Sequence, residues 1–155
     1  MKDDTGTDAA STADRACVHS RLIDASPARL FEAFADPARL ARWWGPDGFT
    51  NTFEVFEFRQ GGTWRFVMHG PDGKNYPNHS VFVEIESPRR VVVEHLSKGH
   101  HFFLTITFTP QGDGTLVGWR QVFDTVKHRD RIADFVADAN EQNLNRLTAV
   151  VLGSE

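Results

Sequence analysis

Cysteine is almost absent from this chain: Cys17 is its only one in 155 residues. A lone thiol excludes an internal disulfide and makes a reducing cytoplasm the expected compartment. No apolar run approaches the roughly 18 residues of a membrane helix, and the first residues lack the basic start and apolar core of a signal peptide. Neither a membrane partner nor secretion is therefore expected. Lysine is scarce as well, four against thirteen scattered arginines, and the net charge is −4, so there is no basic footprint for nucleic acid. Nucleophile motifs are missing: there is no G-x-S-x-G, and Cys17 lies in a strand-like run without an obvious histidine partner. Gly61-Gly62 precedes a strand pattern rather than a helix, so it is a turn and not a phosphate loop. His95, His100 and His101 lie close together, but neighbours in a strand point to opposite faces, and no Cys or carboxylate follows at a ligand-like spacing. No metal and no cofactor are expected.

What the chain does have is aromatic bulk, thirteen Phe and four Trp, and clear punctuation. Residues 1–14, MKDDTGTDAASTAD, carry one positive and four negative charges and no large apolar side chain, the composition of a disordered acidic tail. Residues 15–155 read as one domain, with neither repeat nor linker. Ser26-Pro27 and Asp36-Pro37 each pair a good N-cap with a proline suited to the first helical position, so two short helices follow one another. Gly45-Pro46 stops the second just after Trp43-Trp44. A strand over residues 16–24 precedes the pair. Strand-like runs follow it at 49–58, 63–69, 78–86, 90–97, 102–109 and 116–124, separated by turn residues such as Gln60-Gly61-Gly62 and Pro71-Asp72-Gly73. Short connections predict an antiparallel meander. From about Lys127 to Leu152 there is no Gly or Pro; Asp124 or Thr125 can cap this helix, and Ile132, Val136, Ala139, Leu147 and Val150 form its apolar stripe, flanked by Phe135. The expected fold is α+β: a curved antiparallel sheet of about seven strands, two short helices after the first, wrapped around a long C-terminal helix. A sheet curved over one helix leaves room for a cavity.

That order, with Ser26–Phe34, Asp36 through Trp43-Trp44-Gly45-Pro46, Phe58–Gly62, the Met68–Gly73 hairpin, Ser87–Val91, Thr115–Trp119 and Gln142–Leu147, resembles the START-like helix-grip superfamily (SRPBCC). Within it the chain resembles the branch named for the activator of the heat-shock-protein-90 ATPase. The likeness covers about residues 15–152, and Gln60 departs from it where relatives often place proline. It implies the helix-grip fold and a cavity for a small, mostly apolar or aromatic molecule. Relatives include polyketide cyclases, lipid or hormone binders and a co-chaperone. The last role ranks below the others, because the chain offers no second domain to bridge a large ATPase.

Strand parity selects the candidate ligand-binding residues. Trp64, Phe66 and Met68 share one face; so do Trp119, Gln121 and Phe123 with Val117. His79 aligns with Val81, Val83 and Ile85, and His95 with Val91 and Val93. With these faces inward, the chamber is aromatic and its few polar groups are His79, His95, Gln121 and Asn143. Asn143 lies near the centre of the helical stripe and either points at a ligand or bonds a facing strand. Arg146, at the stripe's edge, snorkels or pairs with a carboxylate. His79 or His95 would be the general acid or base of a cyclase- or hydrolase-like enzyme, although no catalytic residue is assigned. Trp43 or Trp44 packs on the sheet while the other marks the cavity mouth, the latter position being assigned to Trp44 among the ligand residues. Phe53 and Phe56 should face opposite sides, and exposed aromatics would suit a homodimer or partner surface.

Overall fold

A computed structural model describes residues 12–97 and 99–153. Of the expected tail, residues 1–11 lie outside them. Residues 12–15 are ordered in a short 3-10 turn (Ala13–Arg15), held as Arg15 Nη1 donates to the Phe123 carbonyl at 2.7 Å and Arg120 donates to Thr12 Oγ1 at 2.7 Å.

Strand β1 (Ala16–Ile23) leads into helices α1 (Pro27–Ala35) and α2 (Pro37–Trp43). Six strands follow: β2 (Thr50–Phe56), β3 (Thr63–His69), β4 (Asn75–Glu86), β5 (Arg90–His95), β6 (Phe102–Gln111) and β7 (Gly114–Phe123). The chain ends in α3 (Val126–Leu152). All seven strands form one antiparallel sheet in the order β1-β7-β6-β5-β4-β3-β2. The first strand and the second are thus opposite edges, and α1 and α2 carry the chain from one to the other. Helix α3 packs against β1, β7, α1 and α2. This is the expected helix grip.

The caps act as their residue types dictate. Ser26 Oγ accepts from Arg29 N–H at 3.2 Å, Asp36 Oδ1 from Ala38 N–H at 3.0 Å, and Thr125 Oγ1 from His128 N–H at 3.0 Å. Asp36 both closes α1 and opens α2, which explains how two helices fit in so few residues. Strand β4 starts three residues earlier than expected and includes Pro77. Its pairing with β5 begins only at Ser80, so Pro77 has β3 alone as a neighbour, an edge-like position where its missing N–H is tolerated.

Two bulges change which side chains face inward. In β2 the register shifts between Phe53 and Val55, and in β4 between Phe82 and Glu84. One extra residue inverts the parity beyond it. Phe53 and Phe56 therefore face the same side, partly buried, with rings stacked 5.6 Å apart; the expectation that they diverge is corrected. In β4 the inward residues are Ser80 and Phe82, and Ile85 rejoins them only beyond the bulge. Val83 is 41% exposed. His79 sits opposite Arg65 in the ladder, on the outer face and exposed, which corrects its assignment to the chamber.

The core is dominated by rings: Phe34, Trp43, Trp64, Phe82, Phe108 and Phe123 are fully buried, each worth roughly 1.5–3 kcal/mol of apolar transfer or somewhat more. Along α3 the buried residues are Val136, Asn140, Asn143, Leu144, Leu147 and Val151. Phe135, one residue and so about 100° from Val136, is 71% exposed and does not line the interior as expected.

Candidate functional site

The interior holds two aromatic clusters. The first gathers under α1 and α2 around tryptophans. Trp43 is fully buried and donates its indole N–H to the Ala33 carbonyl at 3.0 Å. Trp44 is half-buried, and its ring lies 5.0 Å from Trp64, 5.6 Å from Trp119, 5.5 Å from Trp43 and 5.8 Å from Phe34. Trp43 is thus the fully buried core residue and Trp44 the more exposed of the two. Phe66 stacks on Trp64 at 4.3 Å, and Met68 packs at the rim.

The turn after Trp44 requires glycine. Gly45 has φ +100°, and a Cβ there would come within 2.8 Å of the Met68 terminal methyl. Helix α3 grasps this turn. Asn143 Nδ2 donates to the Trp43 carbonyl at 2.9 Å, and its Oδ1 accepts from Gly45 N–H at 3.2 Å. Arg146 donates to five backbone carbonyls, those of Arg42, Trp44, Gly45, Pro46 and Phe49, at 2.8–3.3 Å. Burial lowers the Arg146 pKa, against the opposing charge of Asp47. Gln142 Oε1 accepts from Asp47 N–H at 2.9 Å. Asn143 bonds neither a strand nor an open cavity but the helix-end backbone, and Arg146 neither snorkels nor pairs with a carboxylate. Both hold Trp44 in place.

Three buried polar atoms of residues next to Trp44 have no hydrogen-bond partner among the described residues: Trp64 Nε1, Trp119 Nε1 and Asn51 Oδ1. Asn51 belongs to the group through its amide nitrogen, which donates to the Trp44 carbonyl at 2.9 Å and the Ala41 carbonyl at 3.1 Å. Leaving such groups unpaired costs on the order of 1–3 kcal/mol each. Two donors and one acceptor thus belong to residues that contact Trp44. Asn51 was missed from sequence; its place on the edge strand β2, opposite Met68 of the aromatic-rich β3, was the available signal.

The second cluster lies at the other end of the sheet, where Phe102 and Phe123 meet three histidines. His95 stacks on Phe102 at 4.7 Å, and His100 lies 6.0 Å from Phe123. His100 Nδ1 and His128 Nε2 share a hydrogen bond of 3.2 Å. Burial, with His100 and His101 nearby, lowers the His95 pKa to about 4. Burial, His128 and Arg131 lower that of His100. Burial also acts downward on His101, but hydrogen bonds to Glu94 at 2.7 Å and Asp124 at 2.8 Å raise it overall. Among the described residues no group of three or more His, Cys, Asp or Glu is arranged to hold a metal ion. Burial raises the pKa of Cys17, packed beside Phe123 and Val136.

Between the clusters Gln121 accepts from Asn140 Nδ2 at 2.8 Å, both residues buried. Asn140 escaped the sequence reading because a polar residue beside an apolar stripe looks solvated until its partner is known. Of the expected chamber residues, the structure brings Trp44, Trp64, Phe66, Met68 and Trp119 together, with Asn143 beneath the loop. His95 and Phe123 belong to the second cluster, Gln121 lies between, and His79 and Phe135 lie outside.

A seven-stranded sheet gripping one long helix, with a tryptophan turn clasped by that helix, defines a START-like helix-grip domain, a class in which ligand binding is the general role. The chain belongs to the family of Activator of Hsp90 ATPase homolog 1-like proteins, whose sequence profile matches residues 24–151. Among solved structures it is similar to a protein from Arthrobacter aurescens (22% identity, TM-score 0.83, covering 92% of this chain and 88% of that one). A protein from Nitrosomonas europaea is similar at 17% identity and TM-score 0.82 (92% and 97% covered), and one from Rhodobacter sphaeroides at 26% and 0.81 (92% and 95%). No curated protein matches the sequence. Among the described residues no helix is long and apolar enough to cross a membrane.

Proposed function

We propose that this protein binds a small, flat, mostly apolar molecule in the tryptophan cluster, with Trp44 as a movable plug. One observation carries the reading: the indole N–H groups of Trp64 and Trp119, whose rings both pack on the half-buried Trp44, are buried without acceptors among the described residues. A ligand that displaces Trp44 would stack on the remaining rings and give a carbonyl oxygen to the indoles. Asn51 Oδ1 would take an N–H or O–H from the same molecule. Sparse polar groups in an aromatic surround orient a ligand in this way. The Asn143 and Arg146 bonds go to the backbone of the Trp44 turn and not to its indole.

2-Naphthamide, a flat bicycle with one carbonyl and one amide N–H₂, is a suitable probe. Binding should raise the melting temperature, as any ligand of the native state does, and quench tryptophan fluorescence. Trp64→Phe and Trp119→Phe keep a ring but remove the donor, and each should weaken binding roughly tenfold, about one hydrogen bond. Unchanged affinity in both variants, or no response from the wild type across bicyclic aromatic carbonyl compounds, would overturn the proposal. An acid–base role inside the cluster lacks support, since His79 is on the outer face and His95 stacks on Phe102 in the other cluster.

A further inference from the structure

The outer face of the sheet carries a second arrangement, unrelated to the tryptophans. On β2, β3 and β4, Thr52 Oγ1 lies 2.7 Å from His69 Nε2, and His69 Nδ1 lies 2.7 Å from Asn75 Oδ1. An amide oxygen only accepts, so Nδ1 must carry the ring proton. Nε2 is left with a lone pair, which accepts the Thr52 hydroxyl hydrogen. A hydroxyl, a base and a group that fixes the base's tautomer therefore stand in line, the arrangement by which an unreactive alcohol is made nucleophilic. Ladder pairing builds it: Asn75 is opposite His69, and Thr52 is opposite Val67, two residues along β3. Thr52 and Asn75 are exposed and His69 half-buried, so a substrate can approach. The β-branched threonine has few χ1 choices, which keeps Oγ1 on the imidazole.

Next to this line is a groove of about 270 Å³ lined by Glu54, Arg65, Pro77, Asn78, His79 and Leu96, among others. Arg65 is two residues from Val67, the ladder partner of Thr52, on the same face of β3. Arg65 and His79, directly opposite each other, make no hydrogen bond or ion pair among the described residues. The groove thus offers the Arg65 guanidinium near the hydroxyl, with the Glu54 carboxylate also on its lining.

We propose that this face is an acyl-transfer site for small esters, with Thr52 as nucleophile, His69 as general base, Asn75 as the group positioning His69, and Arg65 as the anchor for a carboxylate on the acyl group. The Thr52 hydroxyl proton passes to His69 Nε2 as Oγ1 bonds to the ester carbonyl carbon. The bond to the alcohol oxygen then breaks, and that oxygen leaves with the proton from the imidazolium. Water gives a proton to Nε2, attacks the acyl-threonine and releases the carboxylic acid, and Oγ1 recovers its hydrogen. Ester and water become acid and alcohol without any oxidant or further reactant.

4-Nitrophenyl acetate and the 4-nitrophenyl monoester of succinic acid are the probes, with nitrophenol release followed by absorbance and the acyl group mapped by peptide mass spectrometry. The wild type should carry one acyl group on Thr52. Thr52→Val should abolish labelling and turnover, and Thr52→Ser should restore both. His69→Gln should slow acylation on the order of 10²-fold, the lower range of general-base effects. Arg65→Gln should raise KM for the succinate ester more than KM for the acetate ester. Acylation of lysine or histidine with Thr52 unlabelled, or wild-type turnover in a folded Thr52→Val protein, overturns the proposal. Should Thr52→Val not fold, the mapped label in the wild type and in Thr52→Ser decides alone.

Discussion

The two ends of α3 hold the molecule together by different chemistry. Near its C-terminus, Asn143 and Arg146 bind the backbone of the Trp44 turn through an amide and a guanidinium, groups that do not change charge in the physiological range. Near its N-terminus, His128 meets His100 and the phenylalanines, beside a His95 and a His100 that burial holds below the ordinary histidine range. One end is a fixed clasp and the other is sensitive to acid. The buried Gln121–Asn140 pair marks the border between them.

The comparison is broken most sharply at Arg146. Arg146→Met keeps much of the apolar stem but strands five carbonyls, and we expect a loss of about 2–4 kcal/mol in denaturant unfolding, with Trp44 fluorescence shifted to the red. A loss below about 0.5 kcal/mol would mean that the loop holds itself.

Next in size is the acid response. The folded pKa of His95, about 4, lies below the unfolded value of about 6.5, so the unfolded chain binds more protons between those values. Its contribution is fully present above about pH 6.5 and is lost as pH falls toward 4, up to about 2–3 kcal/mol in all. His101 acts oppositely: its raised pKa favours the fold at low pH, an effect lost as pH rises through the folded value, and its partial exposure keeps that effect small. Stability curves at pH 7 and pH 4.5 should therefore diverge for wild type and converge for His95→Phe. Equal slopes in the two proteins would remove His95 as the source.

Asn143→Leu should cost about 1–3 kcal/mol at neutral pH without altering the acid slope, which separates the two ends cleanly. The smallest effect is expected at Phe135, exposed on α3: Phe135→Ser should stay within about 0.5 kcal/mol of wild type by thermal unfolding. A larger loss would mean that this ring is covered in solution by a second copy of the chain.

The fold was legible because caps, glycine turns and an uninterrupted helix are local signals, and Ser26, Asp36 and Thr125 cap as their side chains allow. Much of the site was legible too: Trp64, Phe66, Trp119 and Gln121 follow plain alternation and face inward. Alternation failed at His79 because a strand's parity needs an anchor. In β4 the anchor was taken from Val83 and Ile85, which lie on opposite sides of what the bulge displaces. Phe135 failed for another reason. Apolar character suggested burial, whereas Asn140, with a partner in Gln121, took the inward angle. The roles of Asn143 and Arg146 depend on backbone atoms of a distant turn, and side-chain patterns carry no record of those.

The bulge in β2 has a consequence for how this family can vary. Insertions and deletions are usually assigned to loops and regarded as neutral. Here a strand contains a single residue, near Glu54, whose presence sets the orientation of everything on one side of it. Deleting it would leave composition and length almost unchanged and yet turn Phe53 or Phe56 out of the stack it shares with Trp64. In an alignment of relatives, a one-residue gap at this place would signal a different interior, not a shorter loop.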